Sequence, residues 1–189
     1  MTRGSSTGIR LRGGPAANQP TPWLRKVFKQ MMDAGFDPHR KWCLDLGAGN
    51  GRNSDWLRKQ GMQRQAYDPS PPNGYVYYWN GLGWPPYASM YMYDVILLQY
   101  VLMFVPENAR RKIAGVINAA ARIGCVLVLE AYEAKNQHYK KGILLDFASQ
   151  LNNELLVRFG MDLQWKLCMS STNDHLALQL QVKNAINPE

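Results

Sequence analysis

The chain has 189 residues, 46% of them hydrophobic, and a formal net charge of +8. That length supports one domain with a sizeable core. No apolar run approaches the roughly 20 residues that cross a bilayer, and residues 1–20 contain no apolar signal-peptide core, so a cytoplasmic location is expected.

Residues 1–20 are rich in Gly, Ser, Pro and Arg and nearly devoid of apolar side chains, which predicts a flexible basic N-terminal arm ahead of a single domain over 21–189. The charge is uneven. Residues 1–41 hold Arg3, Arg10, Arg12, Arg25, Lys26, Lys29, Arg40 and Lys41 against Asp33 and Asp37, a balance of +6, and the rest of the chain contributes only +2. Such a region suits a polyanionic partner such as nucleic acid, or serves as a solubilising tail.

The first helix is predicted to begin at the cap Thr21 with Pro22 in its first turn, to bury Leu24, Val27, Phe28, Met31 and Met32, and to end at Gly35. Trp42 to Leu46 reads as a buried strand, followed by a glycine turn and a helix from Asn53 to Gln60, stopped by Gly61. A second strand ends at Tyr67-Asp68 before the breaker Pro69 to Gly74. Tyr75 to Trp79 reads as strand three, residues 80–86 as a loop, and Tyr93 to Leu98 as a strand covered on both faces. A helix from Pro106 to Gly124 buries Ala109, Ile113, Val116, Ile117 and Ala120, with Arg110-Arg111-Lys112 on its solvated face. Cys125 to Glu130 is strand five and Ile143 to Phe159 a further helix. Met161 to Met169 and His175 to Val182 form an antiparallel pair. Cys43, Cys125 and Cys168 lie in apolar runs without a Cys-x-x-Cys pair, so buried reduced thiols are expected; His39, His138 and His175 show no ligand spacing, so no metal site is expected.

The informative stretch is Leu44-Asp45-Leu46-Gly47-Ala48-Gly49-Asn50-Gly51-Arg52-Asn53. Three close glycines let a backbone turn sharply and approach a ligand, having no Cβ to clash with it. Asp68 follows Gly47 by 21 residues, near the roughly 20-residue offset at which an acid reaches ribose hydroxyls. A dinucleotide fingerprint Gly-x-Gly-x-x-Gly would need a third glycine at 52, where Arg52 stands; the extra glycine is at 51.

On Asp45 to Ser54, and on the strand Asp94 to Val105, the chain resembles the class I S-adenosylmethionine-dependent methyltransferases, most closely the tellurite-resistance type. The resemblance spans roughly residues 40 to 130 and implies an α/β, Rossmann-like, doubly wound sheet of seven strands with the last antiparallel, a three-layer sandwich. It also implies S-adenosyl-L-methionine as cofactor. Ligands of such sheets sit beyond the carboxyl ends of the strands. The implied cofactor-binding residues are Asp45, Gly47, Ala48, Gly49, Asn50, Gly51 and Asn53 after strand one, Asp68 and Pro69 after strand two, Asn80, Gly81 and Leu82 after strand three, and Gln99 after strand four. The family usually carries an acid near the adenine; this chain has none between Asp68 and Asp94. Tyr100 and Glu130 are the catalytic candidates, with Tyr132 beside them.

No motif names the methyl acceptor. The Asn/Asp-Pro-Pro-Tyr motif of amino-group DNA methyltransferases is replaced by Gln99-Tyr100-Val101-Leu102, and Trp84-Pro85-Pro86-Tyr87, which precedes strand four, reads as a turn. Tyr75, Tyr77, Tyr78, Trp79, Trp84, Tyr87, Tyr91 and Tyr93 crowd together, either packing the third strand or offering rings to a base or an aromatic acceptor. Nucleic acid, a small molecule, or no acceptor at all in a cofactor-binding module that acts through its arm remain open here.

Overall fold

A computed structural model of the protein describes residues 19–71, 76–79, 83–131, 142–159, 162–172 and 174–183. Seven strands form one sheet: β1 (Trp42–Leu46), β2 (Gln63–Asp68), β3 (Tyr77–Tyr78), β4 (Tyr93–Gln99), β5 (Ala121–Glu130), β6 (Leu163–Thr172) and β7 (His175–Val182). Their order is β3-β2-β1-β4-β5-β7-β6. The first five pair in parallel, and β7 runs antiparallel to both β5 and β6. The described helices are α1 (Pro22–Asp33), α2 (Arg52–Lys59), α3 (Glu107–Ala120) and α4 (Ile143–Phe159), with a 3₁₀ turn at Leu102–Phe104. This is the expected doubly wound sheet with a reversed last strand. The basic arm lies outside the described residues apart from its last two.

Strand alternation divides the buried side chains between two cores. Cys43, Val95, Leu97, Val126, Val128 and Ala177 face Trp23, Leu24, Val27, Phe28 and Leu57 of α1 and α2. Leu44, Leu46, Ile96, Leu98, Leu127 and Leu129 face Ile113 and Ile117 of α3 and Phe147 and Leu151 of α4. Every residue of β4 is buried, as a central parallel strand covered on both faces must be. At the amino edge, the buried Asp94 accepts from the Trp42 N–H at 2.9 Å and pairs with Lys41 and Arg122, joining β1, β4 and β5.

Helix α1 follows its predicted signals: the Thr21 hydroxyl accepts the Leu24 N–H at 3.2 Å, Pro22 opens the first turn, and Gly35 takes φ 89° just beyond the end. Met32 is exposed, and Trp23 is buried in its place. Several boundaries differ from expectation. Helix α3 ends at Ala120 and β5 begins at Ala121, because Ala121 pairs with Tyr93 while Ala119 and Ala120 accept the Tyr91 and Met92 N–H groups. The third strand shrinks to two residues, Tyr75 lying outside the described residues. Strand β6 runs on to Thr172, and Cys168 is exposed because β6 is the sheet edge; Cys43 and Cys125 are buried as expected. In the basic cluster, Arg111 and Lys112 face solvent, whereas Arg110 turns its Nε–H to the Leu102 and Val105 carbonyls at 3.2 and 3.1 Å.

The aromatic cluster divides. Trp79 and Tyr93 are buried, while Tyr77, Tyr78, Trp84, Tyr87 and Tyr91 are exposed. Pro86 and Tyr87 form a turn, as read, held from below by the Tyr67 hydroxyl donating to the Pro86 carbonyl and by Gln65 Nε2 donating to Tyr87 O at 2.9 Å.

Candidate active site

The first βα turn is built by backbone. Leaving β1, the chain donates the Gly47 and Ala48 N–H groups to the Tyr67 carbonyl at 2.8 and 2.9 Å, and the Gly51 N–H to Ala48 O at 2.9 Å. Gly47, Gly49 and Gly51 take φ of 78°, 56° and 79°, which side-chain-bearing residues rarely adopt. Their roles differ. A Cβ on Gly47 would stand 2.2 Å from Val101 Cγ2, so this glycine lets β1 and the segment after β4 approach. A Cβ on Gly49 would meet no atom of the described residues within 4 Å; it would project into space where a ligand could lie against the bare backbone. Gly51 caps α2.

Asp68, ending β2, is the clamp of this turn. Its Oδ2 accepts the Gly49 N–H at 2.8 Å and its Oδ1 accepts the Ser70 N–H at 2.8 Å. A carboxylate has about four acceptor positions, so both oxygens keep capacity for ribose hydroxyls. Pro69 follows, exposed. Asp45, on β1 beneath the turn, is 3% exposed, and its Oδ2 has no hydrogen-bond partner among the described residues. Burial pushes its pKa up to about 6, partly offset by hydrogen bonds from Ser54 and by the Arg64 guanidinium. An open cradle of glycine backbone, an orphaned buried carboxylate oxygen and an acid at the end of β2 fit the sugar and amino-acid parts of S-adenosylmethionine.

The carboxyl ends of β4 and β5 hold a second group. Thr21 N–H donates to Asn53 Oδ1 at 3.0 Å, Asn53 Nδ2 to Gln99 Oε1 at 2.6 Å, and Gln99 Nε2 to Thr21 Oγ1 at 3.1 Å. Three buried side chains from the cap of α1, the start of α2 and the end of β4 thus close a ring. Gln99 pairs in register with Glu130, and the Tyr100 N–H donates to Glu130 O at 2.8 Å. Tyr100 sits at φ 61°, a backbone state that persists in a non-glycine residue only where the surroundings enforce it. Burial raises the Glu130 pKa, opposed by the Thr21 and Tyr100 side chains and by Arg52.

The structure therefore brings Asp45, Gly47, Ala48, Gly49, Asn50, Gly51 and Asp68 to one turn, and Asn53, Gln99, Tyr100 and Glu130 to the neighbouring strand ends. Asn53 and Gln99 hydrogen-bond each other rather than facing an open cleft. Asn80, Gly81 and Leu82, and the candidate Tyr132, lie outside the described residues. Thr21 was legible only as a helix cap; nothing local signals its partnership with residues 32 and 78 positions away. Among the described residues no cluster of His, Cys, Asp or Glu could hold a metal, and no helix is long and apolar enough to cross a membrane.

Strand order, reversed strand and glycine turn together define the fold of the class I S-adenosylmethionine-dependent methyltransferases. Solved structures of that class superpose on the chain. A TehB-like methyltransferase from Corynebacterium glutamicum matches with a TM-score of 0.52 and 16% identity, over 85% of this chain and 96% of that one. The 1,6-didemethyltoxoflavin-N1-methyltransferase of Burkholderia thailandensis, with S-adenosylhomocysteine bound, gives 0.53 and 17%, over 84% and 77%. The magnesium protoporphyrin IX methyltransferase of Synechocystis PCC 6803, also with S-adenosylhomocysteine, gives 0.52 and 16%, over 83% and 80%. No protein-family model and no curated protein matches the sequence.

Proposed function

We propose that the chain is an S-adenosylmethionine-dependent methyltransferase that transfers the methyl group in line to an acceptor at the carboxyl ends of β4 and β5. The observation that carries this reading is the glycine turn clamped by Asp68, with no atom of the described residues within 4 Å of a Cβ on Gly49. The backbone of Gly47 to Gly51 and the carboxylates of Asp45 and Asp68 would hold the cofactor. The cofactor supplies a methyl group already activated on a sulfonium. The protein's task is then alignment of a nucleophile and, where the acceptor carries a proton, its removal. Glu130 and Tyr100 stand where that task falls.

Calorimetry with S-adenosylhomocysteine tests the donor half. Wild type should bind, and Asp68→Ala should bind at least about tenfold more weakly, as expected for lost hydrogen bonds to a charged group; unchanged affinity would remove Asp68 from the site. Incubation with methyl-labelled cofactor against separated pools of DNA, RNA, protein and metabolites tests the transfer. Label in none of them would point to a binding module without catalysis.

A second reading takes nucleic acid as the acceptor. It is favoured by the exposed Tyr77 on β3 and Tyr87 on the turn braced from the sheet, whose ring centroids lie 5.4 Å apart, together with the basic residues 1–41. Base stacking on such rings with a polyanion-attracting arm would give steep salt dependence, lost on deleting residues 1–20. Absence of salt-sensitive binding would dismiss it.

A further inference from the structure

Glu130 ends β5 with 1% of its surface exposed. Val126 and Val128 belong to the core beneath α1, so alternation along β5 puts Glu130 on that same face. Its register partners are Gln99 on β4 and His175 on β7, and the Trp23 ring of α1 packs on His175 with centroids 5.6 Å apart. Among the described residues neither Glu130 oxygen makes a hydrogen bond of normal geometry, and neither does the buried Trp23 Nε1. The charged and titratable groups around the carboxylate are Arg52 from α2, Tyr100 at the end of β4 and His175 from β7.

The contrast with the adjacent ring is informative. Thr21, Asn53 and Gln99 are joined to one another, and the side chains of Thr21 and Tyr100 lie near enough to Glu130 to oppose its raised pKa without making a hydrogen bond of normal geometry to either oxygen. A carboxylate sealed from water without strong donors is costly and is characteristic of groups whose partner is a ligand. An ammonium offers three donors and a compensating charge, a hydroxyl offers one donor and none, and an anion would be repelled.

We propose that Glu130 is the acceptor-binding group of this site and that the acceptor is an aliphatic amine, admitted when Thr21 releases Asn53 and Gln99. This rests on the methyltransferase reading above. The amine arrives as an ammonium, and one of its protons passes to the Glu130 carboxylate, giving a carboxylic acid and a neutral amine. The nitrogen lone pair then forms the N–C bond as the methyl C–S bond breaks, and sulfur keeps that electron pair. The product leaves as a methylammonium.

The test uses the full chain saturated with S-adenosylhomocysteine and carrying ¹³C-carboxyl glutamate, with the Glu130 resonance assigned by its loss in Glu130→Gln. Benzylamine and benzyl alcohol, alike in shape, are the probes. Benzylamine should shift the Glu130 resonance and benzyl alcohol should not. Benzylamine should bind Glu130→Gln at least about tenfold more weakly than wild type, the loss of a charge-assisted bond, while S-adenosylhomocysteine binds both equally. An equal shift by the alcohol, no shift by either probe, or undiminished amine binding by Glu130→Gln would overturn the proposal and leave the methyltransferase reading standing. Failure of wild type to bind S-adenosylhomocysteine would remove that reading, and this proposal with it.

Discussion

Replacing Gly47 by alanine should damage the scaffold of the site before any question of ligand arises. Two costs add. The residue sits at φ 78°, and a left-handed backbone costs a non-glycine residue roughly 1–2 kcal/mol. The new Cβ would stand 2.2 Å from Val101 Cγ2, and valine is stiff about χ1, so relief must come from backbone displacement at roughly 1–3 kcal/mol. The sum, about 2–5 kcal/mol, is a large share of the roughly 5–15 kcal/mol that holds a domain folded. Urea unfolding followed by tryptophan fluorescence measures it. Val101→Ala removes the clashing methyl and leaves a Cβ at 3.5 Å, an ordinary contact. The double variant should therefore be more stable than the two single costs imply, by roughly the 1–3 kcal/mol assigned to the clash. A Gly47→Ala variant within about 0.5 kcal/mol of wild type, near the range of neutral surface changes, would refute the close-approach argument. Strict additivity with Val101→Ala would do the same.

Gly49→Val shares the left-handed cost of roughly 1–2 kcal/mol at φ 56° but meets no atom of the described residues within 4 Å, so the chain should still fold but lose S-adenosylhomocysteine binding by calorimetry, and a bound ligand in that variant would displace the cradle from Gly49. Asp45 gives a pH signature. It keeps its proton in the fold to about pH 6, against an ordinary value of 3.8, so the folded chain binds more protons between those values and is destabilised as pH rises through them, by roughly 3 kcal/mol in full. Asp45→Asn stays neutral, so its stability relative to wild type should climb from pH 4 to pH 6 and then level off; parallel urea-midpoint curves would contradict the burial argument. Gln99→Ala strands Asn53 Nδ2 of the buried ring, while Thr21 Oγ1 still accepts the Leu24 N–H, and should cost roughly 1–3 kcal/mol for the group left without its partner. Combining it with Thr21→Val should add little beyond the roughly 1 kcal/mol of the lost α1 cap in the same unfolding assay; a clearly larger added cost would mean that the ring does not act as a unit.

How far the sequence carried depends on whether a feature is local. Helix α1 and strand β1 were legible because cap, proline, glycine and apolar run all lie within the element they define. The turn at Gly47 to Gly51 was legible for the same reason: its backbone states need glycine at those positions. The end of α3 was not. Ala119-Ala120-Ala121 would extend a helix on propensity alone, and it is the pairing of Ala121 with Tyr93 and the Arg122–Asp94 contact at 3.2 Å that turn the chain into β5. Cys168 sits in an apolar run, but its exposure follows from β6 being the edge strand, which only the sheet order reveals. The polar ring at the ends of β4 and β5 is the extreme case. Asn53 and Gln99 could be placed at strand and turn ends by counting, yet their bond to each other and to Thr21 joins positions 46 and 78 residues apart. The glycine turn is set by backbone conformation and so is written in consecutive residues. The polar ring beside Glu130 is set by three elements meeting, so the turn could be read from sequence while the ring had to wait for the fold.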